Sequence, residues 1–160
     1  MYEESYDKLL LSPGAKATRP DLPGIESQRI FTLRTVEDAL NIRRLLESEK
    51  PRSAAVIGGG FIGVEMAENL AESGIQVTLV EYADHLLAPF DFDMACIIHS
   101  QMESHGIRLM LNTAVTGFEQ KGGVVTVKTA GGLAVDSDMV LLAAGVTPDT
   151  ELARTAGLEL

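Results

Sequence analysis

Ser53-Ala54-Ala55-Val56-Ile57-Gly58-Gly59-Gly60-Phe61-Ile62-Gly63-Val64-Glu65 leads, after an apolar-periodic stretch, into Val77-Thr78-Leu79-Val80-Glu81. Ala54 to Ile57 is a short apolar run of the kind found in strands buried on both faces. Gly58, Gly60 and Gly63 follow with the spacing G-x-G-x-x-G. Phe61 to Ser73 has helical periodicity, with Ile62, Met66 and Leu70 on one stripe and Gly74 as the stop. Val77 to Val80 is a second strand, and Glu81 closes the unit eighteen residues after Gly63. The parts have separable physical roles. Gly58 permits a tight turn, Gly60 lets the backbone approach a pyrophosphate, and Gly63 allows close helix–strand packing. The helix start aims free N–H groups and about half a positive charge at that pyrophosphate. Glu81 stands where a carboxylate accepts hydrogen bonds from adenosine ribose hydroxyls. The unit predicts dinucleotide binding; the plain alternatives are a Gly-rich turn that binds nothing and a solvated strand-end Glu81.

The residues after the acid bear on which dinucleotide fits. No Arg or Lys occurs between Gln76 and Ala88, and His85 is the only potential cation there. A 2′-phosphate facing Glu81 would juxtapose like charges. NAD(H) is therefore expected over NADP(H).

Composition bounds the rest. A chain of 160 residues, 46% hydrophobic, can bury a real core as one ordinary domain. The formal charge of −10 repels phosphate backbones and argues against nucleic acid as a partner. No apolar run reaches the roughly 18 residues of a membrane span, and no signal peptide is expected ahead of Tyr2. The single cysteine, Cys96, has no ligand-spaced partner and is expected to be a buried structural thiol, which fits a cytoplasmic location. His85, His99 and His105 make no metal pattern, so packing or surface roles are their default.

Around the central unit, Leu9-Leu10-Leu11 within Tyr2–Ser12 reads as a strand. Pro13, Gly14, Pro20, Pro23 and Gly24 mark a connector. Thr35-Val36-Glu37-Asp38 resembles a capping box for a helix with Ala39, Ile42, Leu45 and Leu46 on one face, ending near Lys50-Pro51. Asp91 is expected to N-cap a further helix with Met94, Ile98 and Met102 inward and Gly106 as its stop. Ile107 to Leu111 reads as a strand. The period then changes to strand-like: Val115–Glu119, Val124–Lys128 and Leu133–Val135 form an antiparallel meander with turns at Gly122-Gly123 and Gly131-Gly132. Asp138 to Ala144 is expected to rejoin the parallel sheet beside the first strand of the unit, bringing Gly145 near the cleft at the strands' carboxyl ends.

With these motifs in order, the chain resembles the pyridine-nucleotide domain of the flavoprotein disulfide reductases. The branch it is most similar to contains NADH oxidases, NADH peroxidases, coenzyme A disulfide reductases and NADH-dependent persulfide reductases. The resemblance rests on Val56 to Glu65, Val77 to Glu81, Pro89-Phe90-Asp91-Phe92-Asp93-Met94 and Ala143-Ala144-Gly145-Val146-Thr147-Pro148-Asp149. It also includes Tyr6 to Ala15, similar to the stretch leaving an FAD domain, although Pro13 stands where the family has Thr and Asp149 where it has Asn. The resemblance implies that Gly58, Gly59, Gly60, Ile62 and Gly63 hold the NADH pyrophosphate turn, and Glu81 the ribose. It further implies that Phe61 lies at the nicotinamide side of the flavin, Glu65 near the carboxamide, and Val115 and Gly145 beside the dinucleotide.

The family's FAD fingerprint, redox cysteine and dimerisation domain have no counterpart among these residues. No catalytic residue and no metal site is therefore expected here. The fold expected is α/β, a Rossmann-like parallel sheet with helices on both faces and an antiparallel β-meander replacing one crossover. Residues 1–34 are expected as a connector, 35–150 as the NAD(H)-binding domain and 151–160 as a C-terminal linker. The function expected is that of an NADH-binding domain of a flavoprotein oxidoreductase, serving FAD in the parent enzyme and a disulfide, persulfide, peroxide or oxygen acceptor. The alternatives are a stand-alone or regulatory NAD(H)-sensing module and a domain that keeps the fold without affinity.

Overall fold

A computed structural model describes residues 3–159, so that Met1, Tyr2 and Leu160 lie outside the described residues. The elements run β1 (Ala15–Ala17), β2 (Ile30–Phe31), α1 (Val36–Glu49), β3 (Ser53–Ile57), α2 (Phe61–Glu72), β4 (Gln76–Val80), α3 (Phe92–Ser104) and β5 (Arg108–Met110). They continue with β6 (Val115–Lys121), β7 (Val124–Thr129), β8 (Ala134–Ser137), β9 (Met139–Leu142), β10 (Val146–Pro148) and α4 (Glu151–Thr155).

The central sheet is parallel, in the order β2-β9-β3-β4-β5. Alternate residues of β3 divide between two cores. Ala54 and Val56 face one side with Ile42 and Leu45 of α1, Val64, Ala67 and Leu70 of α2, and Met102 of α3. Ala55 and Ile57 face the other, with Phe118, Val125, Val127 and Val135 of the meander and Ile25 and Ile30 of the N-terminal segment. The Rossmann-like α/β class holds, with one correction. The three long helices share one face, and the antiparallel β6-β7-β8 sheet covers the second face instead of helices. The physical reason lies in the meander: Phe118, Val125, Val127 and Val135 give that small sheet an apolar side that needs a partner as much as a helix stripe does.

The meander and the return of the chain as β9 beside β3 match their expected positions. Thr35 and Asp38 form the reciprocal capping box, and Lys50 ends α1 in the left-handed region at φ 48°. Three local expectations are corrected. Among the described residues Leu9–Leu11 form no strand, and Leu10 is 90% exposed; no neighbouring strand satisfies its backbone groups. The buried face of α2 is Gly63, Val64, Ala67 and Leu70, so Ile62 points outward and Met66 is only partly buried. Close packing of Gly63 on the sheet sets that rotation. In α3 Ala95 and Met102 are buried while Met94 is exposed, and Asp91 occupies the N-cap without a side-chain capping bond. Unanticipated are β2, which extends the sheet from within the connector, and the antiparallel β1–β10 pair that joins the two ends of the chain.

Candidate functional site

Strands β3 and β9 lie side by side, yet the chain leaves β3 toward β4 and β5 and arrives at β9 from the meander. The strand order therefore reverses between them, and a crevice opens at their carboxyl ends. Gly58 stands in it at φ 106°, and a Cβ there would collide with the Ala143 carbonyl. A Cβ on Gly63 would run into the Gly58 carbonyl oxygen, which accounts for the close seating of α2. Gly60 differs: it is the N-cap of α2, its φ is −75°, and no atom lies within 4 Å of where a Cβ would stand. Its glycine character answers to nothing inside the protein. No side chain caps α2, and its first turn carries no acid, whereas α1 and α3 carry Glu37, Asp38 and Asp93 there. The helix end's positive potential is left available to an outside anion.

Glu81 is held rather than free. Its Oε2 accepts the Gly59 N–H at 2.5 Å and its Oε1 the Ala83 N–H at 2.7 Å. A carboxylate offers about four acceptor positions, so two remain for a ligand's hydroxyls. The loop from Tyr82 to Phe90 folds back over the turn. The Leu87 N–H donates to the Gly59 carbonyl at 2.8 Å, and buried Leu86 lies against Gly59. A cavity of about 260 Å³ at the carboxyl ends is lined by Pro20, Leu22, Gly58, Tyr82, Val115 and Ala144 among others.

The structure brings Gly58, Gly59, Gly60, Phe61, Gly63, Glu81 and Val115 to one end of the sheet. Gly145 stands one residue beyond the cavity lining, its carbonyl accepting from the Thr18 N–H at 3.0 Å. Ile62 and Glu65 are exposed on α2. Phe61 is 57% exposed and meets Phe90 edge-on with ring centroids 6.2 Å apart. Sequence reasoning missed Leu86 and Leu87, whose adjacent apolar pair directly after Asp84-His85 was the available signal, and Pro20 and Leu22, which lie in the connector. A second cavity, at the strands' amino ends, is lined by Arg29, Glu49, Lys50, Arg52 and Asp138. Arg29 is already paired there with Glu49 and with the Asp138 carbonyl.

One histidine lies within the loop and a second, on α3, borders it. His85 Nδ1 lies 2.6 Å from Asp84 Oδ1 and its Nε2 3.2 Å from the Phe90 carbonyl. The Asp84 carboxylate raises the His85 pKa above its ordinary value. Burial, then the charge of His85, holds His99 below it. Among the described residues no cluster of three metal-ligating side chains occurs, and no helix is long and apolar enough to cross a membrane.

The sequence pattern of the pyridine nucleotide-disulphide oxidoreductases matches residues 2–160. The chain belongs to that family. It is 38% identical over 160 residues to a protein of Methanocaldococcus jannaschii named NADH oxidase, covering 99% of this chain and 36% of that one. Reduced CoADR-RHD of Bacillus anthracis, a crystal structure, is 48% identical with a TM-score of 0.91, over 99% of this chain and 28% of that one. The water-forming NADH oxidase of Lactobacillus brevis bound to NADH is 32% identical with a TM-score of 0.83, over 95% and 33%. The chain thus spans about a third of the length of these family members, and the resemblance drawn from its motifs holds along its whole length.

Proposed function

We propose that this chain is the NADH-binding domain of a flavoprotein oxidoreductase, holding the nicotinamide for hydride transfer to FAD and onward to a disulfide, persulfide, peroxide or oxygen acceptor. The observation that carries this reading is the pairing of an open Gly60 with a Glu81 carboxylate already docked on Gly59. The N–H groups at the start of α2 would receive the pyrophosphate. The two free acceptor positions of Glu81 would receive the ribose, and the Val115 and Ala144 cavity would take an apolar face of the ligand. Phe61, at the open end, would cover the nicotinamide side, with Glu65 one turn further and Gly145 beside the crevice. The hydride chemistry belongs to the nicotinamide and the flavin; these residues bind, orient and exclude water. FAD and the dimerisation contacts would belong to further domains of a parent chain. No catalytic residue is assigned here. The charge of −10 supports a partner other than nucleic acid, and the single cysteine supports a reducing, cytoplasmic setting.

Structure sharpens the choice between NADH and NADPH. His85 is the one cationic candidate in the loop, and both its ring nitrogens face protein oxygens. A 2′-phosphate would meet Glu81 with no free cation from the loop to offset it. Calorimetric titration with NADH, NADPH and FAD in parallel is the test. Binding of NADH, weaker binding of NADPH and none of FAD is expected; tighter NADPH binding would overturn the preference. Glu81→Ala should cost about 1.5–3 kcal/mol of NADH affinity, the scale of hydrogen bonds to a charged acceptor. An unchanged dissociation constant would show that Glu81 serves only the loop.

A further inference from the structure

Leu86 links the nucleotide turn to helix α3. Its side chain is fully buried against Gly59, and the next residue, Leu87, donates its N–H to the Gly59 carbonyl at 2.8 Å. The Leu86 N–H does not join a carbonyl. It donates to Nε2 of His99, on the second turn of α3, at 3.0 Å. A ring nitrogen that accepts carries no proton, so His99 is neutral with its proton on Nδ1. His85 is the reverse case: both its nitrogens face oxygen acceptors, and only the doubly protonated ring donates to both. The Phe92 ring meets both edge-on, its centroid 6.0 Å from His85 and 6.4 Å from His99.

We propose that His99 is a positioning residue of the nucleotide site, holding the Tyr82–Phe90 loop on the glycine turn through the Leu86 amide, and that it does so only as a neutral imidazole. The inference rests on the dinucleotide reading above. A protonated His99 would aim an N–H at the Leu86 N–H, leaving that amide without an acceptor and freeing Leu86 to lift from Gly59. Gly59 is the residue to which Glu81 is tied, so the ribose and pyrophosphate contacts would loosen together. The charged groups around His99 are His85 and its partner Asp84 from the loop and Glu103 from its own helix; β5, packed behind α3, carries exposed Arg108. Burial and the charge of His85 favour the neutral ring, while Glu103 opposes them.

The test follows NADH binding from pH 8 to pH 5.5 in the 160-residue chain as wild type, His99→Gln and His99→Leu, together with the Leu86 amide in ¹H–¹⁵N spectra. Gln offers an acceptor that does not titrate, and Leu offers none. At pH 7.5 His99→Leu should bind about three- to tenfold more weakly, the span of one neutral hydrogen bond, and His99→Gln should rescue most of that loss. As pH falls past the ordinary histidine value of about 6.5 and on through the lower value of His99, wild type should weaken toward a similar factor while His99→Gln stays level. His85 is common to all three, so the differences isolate His99. Equal affinities and parallel profiles, with an unmoved Leu86 amide, overturn the inference and leave the dinucleotide reading intact. Absence of NADH binding by wild type overturns both. If His99→Leu fails to fold, the level profile of His99→Gln against a falling wild type decides alone.

Discussion

Three glycines spaced two and three residues apart look alike in the sequence, but their surroundings impose different constraints. Gly58 and Gly63 are confined by the protein: a side chain at either would meet backbone oxygen. Gly60 is confined by nothing in the protein, with open space beyond it and an ordinary φ. A Val at Gly60 should therefore abolish NADH binding by standing where a pyrophosphate would lie. Its stability cost should stay within about 1 kcal/mol, the difference between good and poor N-cap residues. Gly63→Ala should show the reverse weighting, losing roughly 1–3 kcal/mol of stability through overpacking against Gly58. Titration and urea denaturation of the two variants separate these outcomes; NADH binding retained by Gly60→Val would mean that the phosphate lies elsewhere.

At the scale of elements, a start signal and a buried face are different kinds of information. The capping box of α1 is complete in the Thr35 and Asp38 side chains, which bond the backbone N–H groups of Asp38, Arg34 and Thr35 over 2.8–3.2 Å. Thr35→Ala should cost about 1 kcal/mol in denaturant unfolding. Burial raises the Asp38 pKa, yet the Thr35 and Arg34 N–H groups outweigh it and the net shift is downward from 3.8. Asp38 therefore stabilises the fold fully above about pH 4 and loses that contribution as pH falls through its depressed folded value. The faces of α2 and α3 were less legible. Both helices carry apolar residues on more than one side, including Ile62, Met94 and Ile97, which remain exposed. Periodicity alone admits several rotations, and contact with the sheet selects one.

Across the whole molecule, helices, parallel sheet and meander form three layers, and Asp138 fastens the turn where the meander becomes the sheet. Its carboxylate accepts from the Arg52 N–H at 2.7 Å, the Ser53 N–H at 3.1 Å and the Ser53 hydroxyl at 3.2 Å, joining the starts of β9 and β3. Burial works to raise its pKa, but these three bonds and the Arg29 charge lower it on balance below 3.8. The stability it supplies is complete above that value and is lost on acidification through the folded pKa. Asp138→Ala should lower unfolding free energy by about 2 kcal/mol at pH 7 and show a shallower acid loss below pH 4. An equal loss at both pH values would show that the carboxylate charge contributes nothing.

The sequence by itself determined the strand–turn–helix–strand unit, its closing acid, the meander and the family resemblance. Each is written in contiguous spacing: glycines at fixed offsets, period-two runs, and turn residues between them. It left open what depends on residues far apart in the chain. The 2-residue β2 and 3-residue β1 exist only because β9 and β10 offer them ladder partners. Which layer covers each face of the sheet was settled by the meander's apolar side. The same holds for His99, thirteen residues from Leu86, whose ring is an ordinary helical histidine until the folded loop brings an amide to its nitrogen. Local spacing encodes local geometry; long-range pairing follows from burial, which no window of sequence contains.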